Sequence, residues 1–242
     1  LIDEVCLWDR ALSQDEIREL RHLTRTGPQS FTNDLFLYYQ FNLSNSSNIL
    51  DRVGTKHATL AGTTQKLLST APVAGGVSDR VFISSGGSQY FPNSATTLEF
   101  GNIVLNGEVV VSRLHSPPNS LPSTNPHVPE YWIINNYGSS SFGALDSVNL
   151  KAYNSLPAGN PSDAKLYSRG ANEHLSSWNE LCSADNYSGQ SFNFSSSCNV
   201  NDSYQLFIQS ANSNQISTLI SSPIGIELNE FGEELLIYPN PT

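Results

Sequence analysis

The sequence predicts an all-β protein built around a β-sandwich, and three observations carry that expectation. From Arg80 onward short apolar runs recur at close intervals, with turn residues between them. No helical periodicity intervenes between those runs. Charged residues make up only 14% of the chain, and Ser, Asn, Gly and Thr take surface positions that Lys and Glu usually fill.

The first element is a strand ending at Trp8, with a helix behind it. Ser13 and Glu16 stand at capping-box spacing, and Leu12 and Ile17 occupy the hydrophobic-staple positions. Ile17, Leu20 and Leu23 form one narrow apolar stripe, so Asp15, Arg18 and Glu19 are expected to face water. A single strand and helix cannot enclose a core and must pack on something else. After Gly27-Pro28, the aromatic run Leu35 to Asn42 reads as a strand, Asp51 to Gly54 as a turn and His57 to Leu60 as a second short strand. His57 beside Asp51 reads as structural hydrogen bonding, because no nucleophile or third group stands near them in sequence. Ser69 to Asp79 is small, Pro- and Gly-bearing and without periodicity, which marks a boundary.

The sandwich strands follow. They are expected at Val81 to Ile83, Thr97 to Phe100, Ile103 to Leu105, Val109 to Val111, Tyr131 to Ile134, Leu145 to Leu150, Ala164 to Tyr167, Phe192 to Phe194, Tyr204 to Ile208 and Ile224 to Leu228. Asn106-Gly107 between two apolar runs predicts a tight hairpin. Ser116 to Glu130 carries Pro117, Pro118, Pro122, Pro126 and Pro129, and is expected to be a stiff exposed loop. Alternation in Tyr131-Trp132-Ile133-Ile134 turns Trp132 and Ile134 together toward the core.

The formal charge of −10, with 12 basic residues spread thinly, offers no positive stripe for a phosphate backbone or an anionic bilayer. Nucleic acid and membrane insertion are therefore not expected, and no apolar run approaches the roughly 20 residues that span a bilayer. Met is absent, and the opening residues have neither the basic start nor the apolar run of a signal peptide, so further sequence is expected upstream. Cys182 and Cys198 flank a polar, turn-rich stretch and are expected to form a disulfide, which would contribute about 3 kcal/mol in the chain-entropy model. Cys6 is left as a small, partly buried side chain; a nucleophilic role finds no neighbouring His in its strand.

Catalytic patterns are missing. There is no His-Glu-x-x-His, Cys-x-x-Cys, phosphate loop or dinucleotide glycine pattern. Gly138-Ser139-Ser140-Ser141-Phe142 departs from the nucleophile elbow at Phe142. His22, His57, His115, His127 and His174 show no metal-ligand spacing. The chain is therefore not expected to be an enzyme. Aromatic rings are the better candidates for a binding role: Tyr131 and Trp178 are candidate glycan contacts, against the plainer reading of Trp178 as a ring packed beside the disulfide.

The pattern Ile2-Asp3-Glu4-Val5, Leu7-Trp8-Asp9-Arg10-Ala11-Leu12-Ser13 and Glu16-Ile17 resembles the closing strand and helix of laminin-G-like, concanavalin-A-like sandwich domains. The resemblance implies that the rest of such a domain lies upstream, and that calcium, where present, belongs there. No cofactor is implied for the residues present. Asp3 is a candidate stray metal ligand, weighed against a carboxylate bonded to backbone. At the other end, Glu234-Leu235-Leu236-Ile237 running into Tyr238-Pro239-Asn240-Pro241 resembles the opening of the C-terminal sorting domain of type IX secretion cargo. That likeness implies export to the outside of a bacterial cell, with the type IX translocon and its shuttle proteins as partners. Asp146-Ser147-Val148 resembles the O-glycosylation acceptor of bacteria with that system.

The expected organisation is then residues 1–26 as the end of a laminin-G-like domain and 27–79 as a bridging β segment and linker. Residues 80–228 form a jelly-roll or immunoglobulin-like β-sandwich, and 229–242 begin a sorting domain. The expected function is a non-catalytic region of a large, adhesin-like extracellular or cell-surface protein, binding a polysaccharide or a surface protein. The alternatives are an accessory region of a secreted polysaccharide hydrolase or protease, and a structural spacer.

Overall fold

The computed structural model describes residues 2–25, 34–42, 47–64, 69–100, 106–139, 147–152, 160–188, 190–195 and 203–211. Strand β1 (Val5–Trp8), helix α1 (Gln14–Leu20) and strands β2 (Leu35–Tyr39), β3 (Asn48–Ile49) and β4 (Ala58–Thr59) come first. Next are β5 (Gly76–Ile83), β6 (Ser88–Phe91), β7 (Thr96–Glu99), β8 (Gly107–Leu114), β9 (His127–Asn136) and β10 (Ser147–Lys151). The described strands end with β11 (Ala164–Gly170), β12 (Asn179–Ser183), β13 (Asn186–Ser188), β14 (Ser191–Phe194) and β15 (Tyr204–Ser210).

Two antiparallel sheets face each other, as the strand pattern predicts. One has the order β12-β11-β15-β9-β8-β5 and the other β13-β14-β10-β7-β6. Every second residue of the paired strands turns into the space between them. Val109, Val111, Trp132, Ile134, Leu166, Leu206 and Ile208 come from the first sheet. Phe91, Leu98, Val148, Leu150, Phe192 and Phe194 come from the second. Trp132 is fully enclosed, and its indole N–H donates to the Ser94 carbonyl at 3.3 Å, so the ring's polar edge is satisfied inside the core. Trp132 and Ile134 share the core face and Tyr131 and Ile133 the opposite one, as the alternation requires.

That opposite face, the outside of the six-stranded sheet, is covered. Leu23, just beyond α1, packs with Leu114, Tyr131, Ile133 and Phe207, and pairs as a parallel bridge with Ala74. The capping box forms as read: the Glu16 N–H donates to the Ser13 hydroxyl at 3.2 Å and the Ser13 N–H to the Glu16 carboxylate at 2.7 Å. The helix docks by only part of its apolar stripe, however: Leu20 and Leu23 are buried and Ile17 is not. Ile17 is 55% exposed, while Arg18 lies 3.3 Å from Glu108 and Arg80 lies 3.1 Å from Asp15 and 3.0 Å from Glu19. The helix ends at Leu20, too short for a full apolar stripe, and the sheet beneath its first turns presents Arg80 and Glu108. Charge complementarity sets how its first turns sit, and Leu20 buries its end.

Three further expectations are corrected. Pro129 lies inside β9 and not in a loop. Pairing with β8 stops at Tyr131, and pairing with β15 shifts register between Phe207 and Gln209, so the missing N–H falls where the ladder is irregular. Asn106-Gly107 closes no hairpin on β8, because β5 and β9 already occupy the two edges of that strand. Gly107 is required there for another reason: a Cβ would stand 2.0 Å from the Gly138 Cα. The boundary stretch ending at Asp79 runs into β5, where Gly76 to Asp79 already pair with β8. Ile103 to Leu105 and Ile224 to Leu228 lie outside the described residues.

Outside the sandwich, β1 pairs with β2 and β3 with β4 as two-stranded ribbons. The Asp51 carboxylate ties the second turn together, accepting from the Tyr38, Val53 and Lys56 N–H groups at 3.1, 3.1 and 3.2 Å. Burial alone would raise its pKa, but these backbone donors hold it below the ordinary value. His57 accepts from the Asp51 N–H at 3.1 Å, which is a structural bond.

Candidate functional site

Trp178 and Tyr131 meet on the covered side of the six-stranded sheet. The Arg169 guanidinium lies 4.3 Å from the centre of the Trp178 ring, and Phe207 lies 5.6 Å away. Arg169 is fixed in turn by the Gln205 side-chain oxygen at 2.9 Å and the Asn119 carbonyl at 3.1 Å. The Trp178 N–H donates to the same Asn119 carbonyl at 3.4 Å. Trp178 is 7% exposed and Tyr131 3%. The ring faces that a sugar would stack on are thus packed against protein. The Pro-bearing segment after Pro118 serves as the cover: besides Asn119, the Ser123 and Asn125 carbonyls accept from the Gln209 amide at 3.0 Å each.

A second cluster sits where the β1–β2 ribbon meets the end of α1. Glu4 adopts φ 51, in the left-handed region, and its carboxylate takes a short hydrogen bond from the Tyr38 hydroxyl. That hydroxyl also accepts from the Arg25 N–H at 3.1 Å. The Arg25 guanidinium donates to the Leu23 and Leu20 carbonyls at 2.7 and 2.9 Å, capping α1. Burial pushes the Glu4 carboxyl up to about 7, with Asp3 adding to the rise and Tyr38, Arg25 and Arg52 opposing it. Cys6 is free, and burial raises its thiol pKa, the opposite of what a nucleophile needs. Beyond this cluster, a notch lined by Gln40, Asn42, Ile49 and Arg52 encloses about 10 Å³, room for one water at most.

The five-stranded sheet has a different exterior. Tyr90 pairs with Thr97, Thr97 with Asn149, Asn149 with Asn193, and Asn193 with Asn186. These five residues form one continuous row across all the strands of that sheet. Their chain neighbours Phe91, Leu98, Val148, Leu150, Phe192 and Phe194 are core residues, so the row points away from the core. Tyr90 is 57% exposed at one end. Flanking the row, Glu99 lies opposite Ser88 and Ser147, and Lys151 opposite Ser191. The Thr97, Asn149, Asn193 and Asn186 side chains make no hydrogen bond among the described residues.

The remaining sequence candidates are placed as follows. Cys182 is disulfide-bonded. Cys198 and the motif Tyr238-Pro239-Asn240-Pro241 lie outside the described residues. One Asp3 carboxylate oxygen accepts from the Glu4 N–H at 3.0 Å. No group of three or more His, Cys, Asp or Glu residues that could hold a metal ion occurs among the described residues. Nor is any helix among them long and apolar enough to cross a membrane.

Neither the Arg25–Tyr38–Glu4 chain nor the five-residue row was singled out from sequence. Each row residue stands between core residues in a strand, a signal visible in the alternation. Their alignment depends on register, which only long-range pairing sets. No family model, curated protein or solved structure matches the chain.

Proposed function

We propose that this chain is a non-catalytic region of an exported bacterial surface protein, delivered by type IX secretion and serving adhesion through glycan or protein binding. The observation that supports export best is the disulfide at Cys182, since such bonds persist in oxidising compartments. The low charge content and the Asn-, Ser- and Thr-rich exterior agree with an extracellular life. The likeness of Tyr238 to Pro241 to a sorting-domain opening supplies the route. For adhesion, the support is the outward row of Thr97, Asn149, Asn193 and Asn186, which leaves amides and a hydroxyl free for a partner.

Cell fractionation tests the export reading. In a bacterium with the type IX system, truncating the full-length gene before Tyr238 should strand the product in the periplasm. Continued appearance of the truncated product at the cell surface would overturn that route.

A further inference from the structure

We propose that the outer face of the five-stranded sheet binds a single, extended, uncharged polysaccharide chain lying along the row Tyr90, Thr97, Asn149, Asn193 and Asn186. The inference rests on the adhesion reading and gives it a surface and a ligand class.

Four properties of the row specify this ligand. The first is period. Neighbouring strands lie about 4.8 Å apart, so the row offers one polar side chain per step and spans about 19 Å in all. The step is close to the length of one pyranose residue in an extended chain, and successive sugars can meet equivalent side chains. The second is chemistry. Each Asn amide offers both donors and an acceptor, which matches a hydroxyl that must donate and accept at once. With no described partner, these groups exchange water for sugar without breaking an internal bond.

Charge is the third. The row is neutral, and Glu99 and Lys151 on its flanks cancel. The chain as a whole carries −10, a field that disfavours acidic polymers and is indifferent to neutral ones. The fourth is shape. Adjacent strands rotate by roughly 20–25° per step, so the flanking rows swing away from the plane of the middle one. A straight single chain can follow the central row, whereas a flat crystalline surface would touch it at one point only. Tyr90 ends the row with an exposed ring, on which the C–H face of a terminal sugar can rest.

The test is affinity electrophoresis of the whole 242-residue chain through native gels containing hydroxyethyl cellulose, galactomannan or xylan, with alginate gels as the acidic counterpart. Retardation is expected in at least one neutral gel and in none with alginate. The double variant N149A/N193A should bind about tenfold more weakly or worse, the effect of losing one or two hydrogen bonds. Tyr90→Ala should weaken binding less, and Leu175→Ser, an exposed change elsewhere, should leave it unaltered. Circular dichroism melting confirms that each variant folds; if N149A/N193A does not, N149D/N193D places two carboxylates on the same row and should abolish binding. Equal retardation of wild type and row variants would overturn this site and leave glycan binding standing. No retardation in any neutral gel would overturn both the site and the glycan half of the adhesion reading, with export judged separately by fractionation.

Discussion

Arg113 of β8 and Glu130 of β9 form an ion pair at 3.6 Å inside the sandwich, with side chains only 3% and 5% exposed. Arg113 also reaches the Lys151 carbonyl of β10 at 3.5 Å, so the pair links the two sheets. Removing one partner strands a buried charge. Glu130→Leu is expected to cost about 3–5 kcal/mol in urea unfolding, and the double change R113M/E130L to recover most of that loss. Additive losses in the double variant would show that the two charges act independently.

Glu108 holds α1 to the sheet by taking Arg18 at 3.3 Å, and it also takes Arg80 of β5 at 3.1 Å, which itself reaches Asp15 and Glu19 of the helix. Both arginines keep substantial water contact, so Glu108→Gln should reduce stability by only about 1 kcal/mol. The local effect is larger. Hydrogen exchange within Gln14–Leu20 should accelerate in the variant, and in the wild type it should accelerate with added salt, because screening weakens the same contacts. Salt-independent exchange would assign the docking to Leu20 and Leu23 alone.

The acid response is expected to set Glu4 against His22, with His115 and His127, also lowered by burial, adding to the sense of His22. Burial raises Glu4 from 4.5 to about 7, so the folded state holds a proton that the unfolded chain has released. The stability from this group is complete below pH 4.5 and is lost as pH rises to about 7. Burial lowers His22 from 6.5 to about 4, although its bond to the Pro72 carbonyl at 2.9 Å opposes the shift. Stability from His22 is present above pH 6.5 and is lost as pH falls toward 4. In the wild type the Glu4 slope opposes that of the histidines between these limits. Glu4→Gln should steepen the fall in stability toward acid, and His22→Gln should make it shallower, with His115 and His127 retaining part of it. Chemical denaturation from pH 4 to 8 reads both, and parallel curves for all three proteins would dismiss the pairing.

Gly107→Ala is expected to destabilise the sandwich by about 1–3 kcal/mol, as overpacking against rigid atoms does. The added methyl would meet backbone atoms of Gly138, with no flexible side chain to move aside. A fall in Tm of several degrees is the expected reading. A Tm equal to that of the wild type would mean that the two backbones separate at little cost.

The sandwich itself was legible because its strands alternate cleanly. Val148, Leu150, Phe192 and Phe194 each sit where period two demands. The helix was placed correctly by Ser13 and Glu16, yet its orientation only in part, since Leu20 and Leu23 are buried and Ile17 is not. Whether Ile17 or Arg18 faces inward depends on Arg80 and Glu108, which arrive far along the chain and carry no local mark of that role. Pro129 misled for a related reason. A proline forbids one hydrogen bond, and the sequence cannot show that β8 no longer pairs at that point. Trp178 and Tyr131 carried the residue type of a sugar platform, but Asn119 and Arg169 cover them, and covering is set by tertiary packing alone.

The docking of α1 also fixes an order of events during synthesis. Arg18 and Glu108 are separated by 90 residues, which a ribosome at about 5–20 residues per second takes roughly 5 to 20 seconds to make. A helix of seven residues does not persist in isolation over that interval. The helix therefore leaves the ribosome well before the strand that anchors it, and through that interval it remains a protease-accessible segment awaiting the sheet that will eventually hold it.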